Sequence, residues 1–99
     1  MKIKKNQEGN RLTLAISGRL ETATAPQLQE VIENGLSGIR SLTLDIKQLE
    51  YISSAGLRTL LAAKKKMHGA GGYRAVIGAN EEVMEVFKIT GFNEILDIK

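Results

Sequence analysis

The chain has 99 residues, of which 42% are apolar, and a formal net charge of +3. This length predicts one domain spanning residues 1–99, and the apolar content provides material for a core and argues against intrinsic disorder. The absence of cysteine excludes disulfides and thiolate metal sites. No stretch approaches the ~18 consecutive apolar residues of a membrane span, and four aromatic residues are too few for a nucleic-acid-binding surface. We therefore expect a cytoplasmic protein that neither inserts into a membrane nor binds nucleic acid directly.

An N-terminal β-hairpin is the first predicted element. The turn-forming residues Glu8-Gly9-Asn10 separate Lys2–Asn6 from Arg11–Ser17. The second of these runs alternates strictly between apolar and small or polar side chains, as a half-buried strand does.

A helix is predicted to follow. Thr24 has the character of an N-cap, with Gln27 three residues later completing a capping-box pattern. Pro26 fits the first turn, where its missing N–H has no intrahelical partner. Gly35 or Gly38 is expected to end the helix. Its apolar face is formed by Leu28, Val31, Ile32 and Leu36.

The rest of the chain alternates between strands and helices. The predicted strands are Ile39–Ile46, Tyr73–Gly78 and Glu94–Ile98. One helix is predicted from Ser54 to about Met67, and another between an Asn80 cap and Gly91. Because helices separate these strands, the sheet should be mostly parallel apart from the hairpin. The predicted fold is α/β, with a mixed sheet and about three to four helices packed on it.

No arrangement typical of an enzyme is present. The only histidine, His68, lies at the far end of the helix that Ser54 begins, about 20 Å away at ~1.5 Å per residue, so it cannot activate that serine. Gly69–Gly72 runs from helix to strand, the wrong direction for a phosphate loop. Asp45 has only Glu50 as a carboxylate partner in the strand-end loops, which favours a structural role. We expect no catalytic activity, no metal and no cofactor.

The stretch Leu49–Arg58 is the most informative one, since it leads from a strand into a helix at the sheet edge where open α/β folds place function. Ser53 or Ser54 could simply cap the helix through its hydroxyl. Either serine could instead be phosphorylated, because a helix N-terminus tolerates added negative charge. Arg58, one turn after Ser54, could pair with such a phosphate or remain solvated.

Three stretches together resemble the STAS domain family, best known from bacterial anti-sigma-factor antagonists. Tyr51–Leu57 looks like the family's signature loop, in which an Asp-Ser-(Ser/Thr/Ala)-Gly-Leu run opens the second main helix. Gly18–Ala25 is similar to the first strand-to-helix passage, and Leu42–Ile46 resembles the strand before the signature loop. The likeness covers nearly the whole chain in the family's element order.

The resemblance implies a signalling protein that regulates transcription by protein–protein interaction. In the family, an anti-sigma factor that is a serine kinase of the GHKL type phosphorylates the serine after the aspartate, and a metal-dependent serine phosphatase removes the phosphate. That serine corresponds to Ser54. Ser53 stands at the aspartate position, and Arg58 stands where glycine is common. The partner-binding residues implied are Tyr51, Ile52, Ser53, Ser54, Ala55, Gly56, Leu57 and Arg58.

Three functional hypotheses follow. The first is an anti-sigma-factor antagonist that phosphorylation at Ser54 switches off. The second keeps the fold without the switch: a constitutive docking subunit of a lipid-transport ATPase or of another signalling assembly. The third is a small-molecule or nucleotide sensor, although no phosphate-gripping loop is visible.

Overall fold

Four strands and four helices succeed one another in the computed structural model, which describes all residues from 1 to 99. The first four elements are β1 (Lys2–Glu8), β2 (Arg11–Leu20), α1 (Ala25–Gly35) and β3 (Ser41–Ile52). The last four are α2 (Ser54–Gly69), β4 (Tyr73–Ile77), α3 (Glu81–Thr90) and α4 (Phe92–Ile95).

The strands form one sheet in the order β1-β2-β3-β4. β1 and β2 pair antiparallel around a turn in which Gly9 has a φ of 62°, so the predicted hairpin is confirmed. β2, β3 and β4 pair in parallel, as strands joined through helices should. The predicted mixed, mostly parallel α/β sheet is therefore confirmed.

The hydrophobic core lies between one face of this sheet and the helices. Alternate residues of β2 and β3 point into it, and α1, α2 and α3 each contribute an apolar face. The opposite sheet face is lined mainly by half-buried small side chains, such as Thr13, Ser17 and Thr43. None of the helices combines the length and apolarity needed to cross a lipid bilayer. The largest fully buried side chains include Phe87, Leu12, Leu14, Leu28, Ile32, Ile46 and Ile52.

β3 is longer than predicted, running from Ser41 to Ile52 instead of ending at Ile46. The stretch from Lys47 to Ile52, which was expected to be a loop before the second helix, thus belongs to the strand, and only Ser53 lies between β3 and α2. Its register against β2 shifts twice, between Ala15 and Ser17 and between Gly18 and Arg19. Such bulges break the period-two alternation of side chains, and for this reason the predicted strand ended six residues before the observed one.

The C-terminal prediction was wrong. Instead of a strand over Glu94–Ile98, the chain forms the single helical turn α4, followed by one isolated parallel bridge between Ile98 and Val76. Gly91, with a φ of 80°, ends α3 in the left-handed conformation and redirects the chain. Leu96 then donates its N–H to the Phe92 carbonyl at 2.8 Å and buries its side chain, so only the last residues are extended.

The predicted capping box at α1 was also wrong. Thr24 occupies the N-cap position but makes no capping hydrogen bond. Its hydroxyl instead accepts from the Glu21 N–H at 2.9 Å and donates to the Arg19 carbonyl at 2.7 Å. Pro26 lies in the first turn and Gly35 ends the helix, as predicted.

Candidate partner-binding site

The candidate site lies at the carboxyl ends of β2 and β3, where β3 passes into α2 through a single residue, Ser53. The Ser53 N–H donates to the Leu20 carbonyl at the end of β2, at 2.9 Å. The start of α2 is therefore fixed to the sheet, and Ser54 at the beginning of its first turn is exposed at the carboxyl edge of the sheet.

Ser53 is the N-cap of α2. Its backbone is extended, with a φ of −101° and a ψ of 177°, and its Oγ accepts a long hydrogen bond of 3.4 Å from the Gly56 N–H. Its carbonyl accepts from the Leu57 N–H at 2.9 Å. Serine and aspartate cap helices about equally well, so a serine at the family's aspartate position keeps the local geometry.

Ser54 is the first residue of α2 and is exposed. Its hydroxyl makes no hydrogen bond within the chain, and Ser53 instead of Ser54 caps the helix. The N–H groups of Ser54 and Ala55 lie in the first turn, where an α-helix has no intrahelical acceptors. A phosphate on this hydroxyl would therefore meet free N–H donors and the positive end of the helix dipole.

Gly56 allows α2 to approach the sheet this closely. A Cβ at this position would lie 2.7 Å from Leu20 Cγ, 2.8 Å from the Leu20 carbonyl oxygen and 2.8 Å from Ile52 Cγ1. Any side chain here would push the first turn away from the ends of β2 and β3. The glycine of the signature loop is thus a packing requirement of the site.

Arg58 lies one turn beyond Ser54 on the same face of α2 and is exposed. It forms no ion pair: the three ion pairs of the chain are Arg19–Glu21, Lys47–Asp45 and Arg74–Asp97. Its guanidinium is free to meet an anion, whether on a partner or on Ser54.

A second cluster borders the site, and it joins the predicted residue Tyr51 to two residues that were not predicted as part of the site, Arg19 and Glu21. Arg19 and Tyr51 are neighbours across β2 and β3, and the Arg19 guanidinium lies over the Tyr51 ring, 4.4 Å from its centre. Arg19 Nε also donates to Glu21 Oε2 at 3.3 Å. We call Arg19, Glu21 and Tyr51 the Arg19 cluster. The family passage at Gly18–Ala25 pointed to this segment, but only the pairing of the strands brings Arg19 to Tyr51.

The eight predicted contact residues divide by burial. Tyr51, Ser54 and Arg58 are exposed, and Ser53 and Ala55 are half-buried. The other three residues are buried and lie beneath the surface; they are Ile52, Gly56 and Leu57. The surface open to a partner thus comprises the exposed and half-buried residues, which are Tyr51, Ser53, Ser54, Ala55 and Arg58.

α3 begins beside this surface. Asn80 caps it by accepting from the Val83 N–H at 2.8 Å, as predicted, and donates through Nδ2 to the Leu49 carbonyl at 3.0 Å. A shallow depression there is lined by Glu50, Glu81 and Glu82 with Asn80. The surface is therefore acidic on the α3 side and basic at Arg58.

The only histidine and the glycine-rich turn after α2, both considered for catalysis, lie apart from this surface. His68 is exposed near the opposite end of α2 from Ser54. Residues 69–72 form a turn whose Gly72 N–H donates to the Met67 carbonyl at 2.9 Å, so they end the helix as expected. No group of three or more His, Cys, Asp or Glu side chains is placed to hold a metal ion.

This geometry agrees with what the chain resembles. The model of the STAS domain family matches residues 2–99. BtrV of Bordetella bronchiseptica, a candidate anti-sigma factor antagonist, is 33% identical over 99 residues, covering 99% of this chain and 85% of its own. The anti-sigma-B factor antagonist of Listeria monocytogenes is 26% identical over 97 residues, covering 96% of this chain and 84% of its own. The chain belongs to the STAS domain family.

A solved structure has the same fold. The crystal structure of an anti-sigma factor antagonist from Mycobacterium paratuberculosis superimposes with a TM-score of 0.87 at 20% identity, covering 98% of this chain and 83% of that one. The family and fold indicated by the three sequence stretches are therefore confirmed.

Proposed function

We propose that this chain is a cytoplasmic anti-sigma factor antagonist and not an enzyme. It binds an anti-sigma factor through the surface around Ser54 and thereby regulates transcription indirectly. The names of its relatives in Bordetella and Listeria support this role. The anti-sigma factor is a serine kinase of the GHKL type, phosphorylation at Ser54 ends binding, and a metal-dependent serine phosphatase restores it.

The observation that carries this proposal is that Ser53 and Ser54 have different structural roles. Ser53 caps α2, which leaves the Ser54 hydroxyl exposed and without a partner inside the chain. A kinase can reach such a hydroxyl without unfolding the helix. Phosphate adds about −1.5 to −2 charges at neutral pH, which the helix N-terminus tolerates and a docked partner surface does not.

The missing aspartate and the additional arginine are compatible with this mechanism. Ser53 supplies the cap that an aspartate would supply. Arg58, at i+4 from Ser54 and free of ion pairs, can pair with the phosphate and hold it at the helix start.

The test is a pull-down from the cell that produces this chain, with wild-type, Ser54→Asp and Ser37→Asp proteins as baits. Ser37 is an exposed serine in the turn between α1 and β3, so its variant adds the same charge away from the surface. We expect wild type and Ser37→Asp to retain a kinase-type ATPase and Ser54→Asp to lose it. Equal recovery by all three baits would instead identify a constitutive docking subunit and contradict the phosphoswitch.

A further inference from the structure

We infer that the Arg19 cluster is a second, preorganised contact point for the anti-sigma factor and that it receives a carboxylate from that partner. The inference rests on the proposed function, since it adds a residue and a ligand chemistry to the same surface. Its first basis is position, because Tyr51 is two residues from the Ser53 cap and Arg19 pairs with Tyr51 across the strands.

The Arg19 guanidinium is held in place by its neighbours but keeps most of its hydrogen-bond donors free. Glu21 engages only Nε, at 3.3 Å, and the Tyr51 ring covers one face at 4.4 Å. Arg has five N–H donors, and the four on Nη1 and Nη2 donate to no acceptor within the chain. The side chain remains 58% exposed. A planar fork of free N–H groups is suited to bidentate binding of a carboxylate.

The backbone below the cluster is pinned. The Thr24 hydroxyl bridges the Arg19 carbonyl at 2.7 Å and the Glu21 N–H at 2.9 Å, so both charged side chains rise from one closed turn. Gly18 has a φ of 92°, and the register shift at Gly18 and Arg19 brings Arg19 opposite Tyr51. Thr24, which does not cap α1, thus acts as the positioning residue of the cluster.

This arrangement has the character of an interface hot spot. Arginine and tyrosine are enriched among residues that dominate binding, and a side chain already fixed in its bound conformation loses less entropy on association. The Tyr51 ring, 39% exposed, adds an apolar surface beside the charged fork. The partner feature that fits is an Asp or Glu side chain next to an apolar residue.

The test measures binding of the purified anti-sigma factor recovered with the wild-type bait to wild type, Arg19→Gln, Arg19→Lys and Thr24→Val. The matched control is Arg40→Gln, an exposed arginine just before β3 at the opposite end of the sheet. We expect Arg19→Gln to weaken binding about tenfold, Arg19→Lys nearly as much because it loses the planar fork, and Thr24→Val about threefold. Arg40→Gln should bind as wild type does.

The salt dependence of the affinity distinguishes a direct contact of Arg19 with the partner from a merely structural role of Arg19. The affinity of wild type should fall more steeply with salt than that of Arg19→Gln, while the melting temperatures stay close. Equal affinity and equal salt dependence of wild type and Arg19→Gln would overturn the inference and leave the proposed function standing. Failure of the purified anti-sigma factor to bind wild type would overturn both.

Discussion

The two adjacent serines at the start of α2 have different roles, although either hydroxyl could have capped the helix. Ser53 turns inward and accepts from the Gly56 N–H, while Ser54 faces solvent. The spacing along the chain left the choice open, because both hydroxyls precede the same apolar helix face. The exit of β3, tied by the Ser53 N–H to Leu20, decides which serine becomes the cap.

Replacing Ser53 should therefore cost stability where replacing Ser54 does not. We expect Ser53→Ala to lower the free energy of unfolding by about 0.5–1 kcal/mol, at the low end for a cap because its hydrogen bond is long. Ser54→Ala, the matched control, should stay within about 0.5 kcal/mol of wild type. Urea unfolding followed by circular dichroism measures both, and equal losses would contradict the assignment of the cap.

The packing at Gly56 gives a larger effect. Gly56→Ala places a methyl group against Leu20 and Ile52, including backbone that cannot move aside, and should destabilise the fold by about 1–3 kcal/mol. Gly69→Ala in the last turn of the same helix meets nothing within 4 Å and should be neutral or stabilising by up to about 1 kcal/mol. A tolerated Gly56→Ala in the same urea series would show that α2 sits less tightly on the sheet.

At the scale of elements, the order of strands and helices was predictable from periodicity, caps and glycines. Asn80, Pro26 and Gly9 each behave as their chemistry indicates. The failures occur where tertiary contacts override a local pattern. The bulges in β3 hid its second half, and the segment that ends in the buried Leu96 forms a helical turn although its side chains alternate.

The candidate site was predictable only in part for the same reason. The signature stretch identified Ser54 and Arg58 as side chains on one helix face. It could not separate the exposed residues from Ile52, Gly56 and Leu57, whose burial depends on contacts with β2 and the helices. Arg19 was missed as a site residue because its place beside Tyr51 comes from strand register, which a single sequence does not reveal.

One side-chain hydrogen bond joins α3 to β3, in addition to the apolar core that both elements share. Asn80 both caps α3 and donates to the Leu49 carbonyl. We expect Asn80→Ala to cost about 1–2 kcal/mol and Asn80→Ser less, because serine keeps a neutral cap and loses only the donor to Leu49. Chemical denaturation of the two variants checks the order. Equal costs for both would mean that the cap contributes nothing.

For the whole molecule, the order of strands in the sheet predicts a gradient of local stability. β2 and β3 are the inner strands, whereas β1 is an exposed edge and the C-terminal residues are joined by one bridge. Amide hydrogen exchange should be slowest over residues 42–46 and fastest, within the paired segments, in β1 and residues 96–99. Protection of β1 equal to that of β3 would contradict the gradient.

The arrangement of layers also explains how a surface change can leave the fold intact. The core is formed between the helices and one sheet face, and Ser54 lies outside it at the edge of the sheet. Charge added at Ser54 meets a helix N-terminus instead of apolar packing. Binding and stability should therefore respond independently to phosphorylation.

The most direct measurement is the affinity of the recovered anti-sigma factor for this chain made with and without phosphoserine at position 54, alongside both melting temperatures. The account predicts at least a tenfold loss of affinity on phosphorylation, with melting temperatures within about 4–8 °C of each other, the range that 1 kcal/mol produces in a small domain. Equal affinities of the two forms would contradict it and leave Ser54 as an ordinary residue of the first turn.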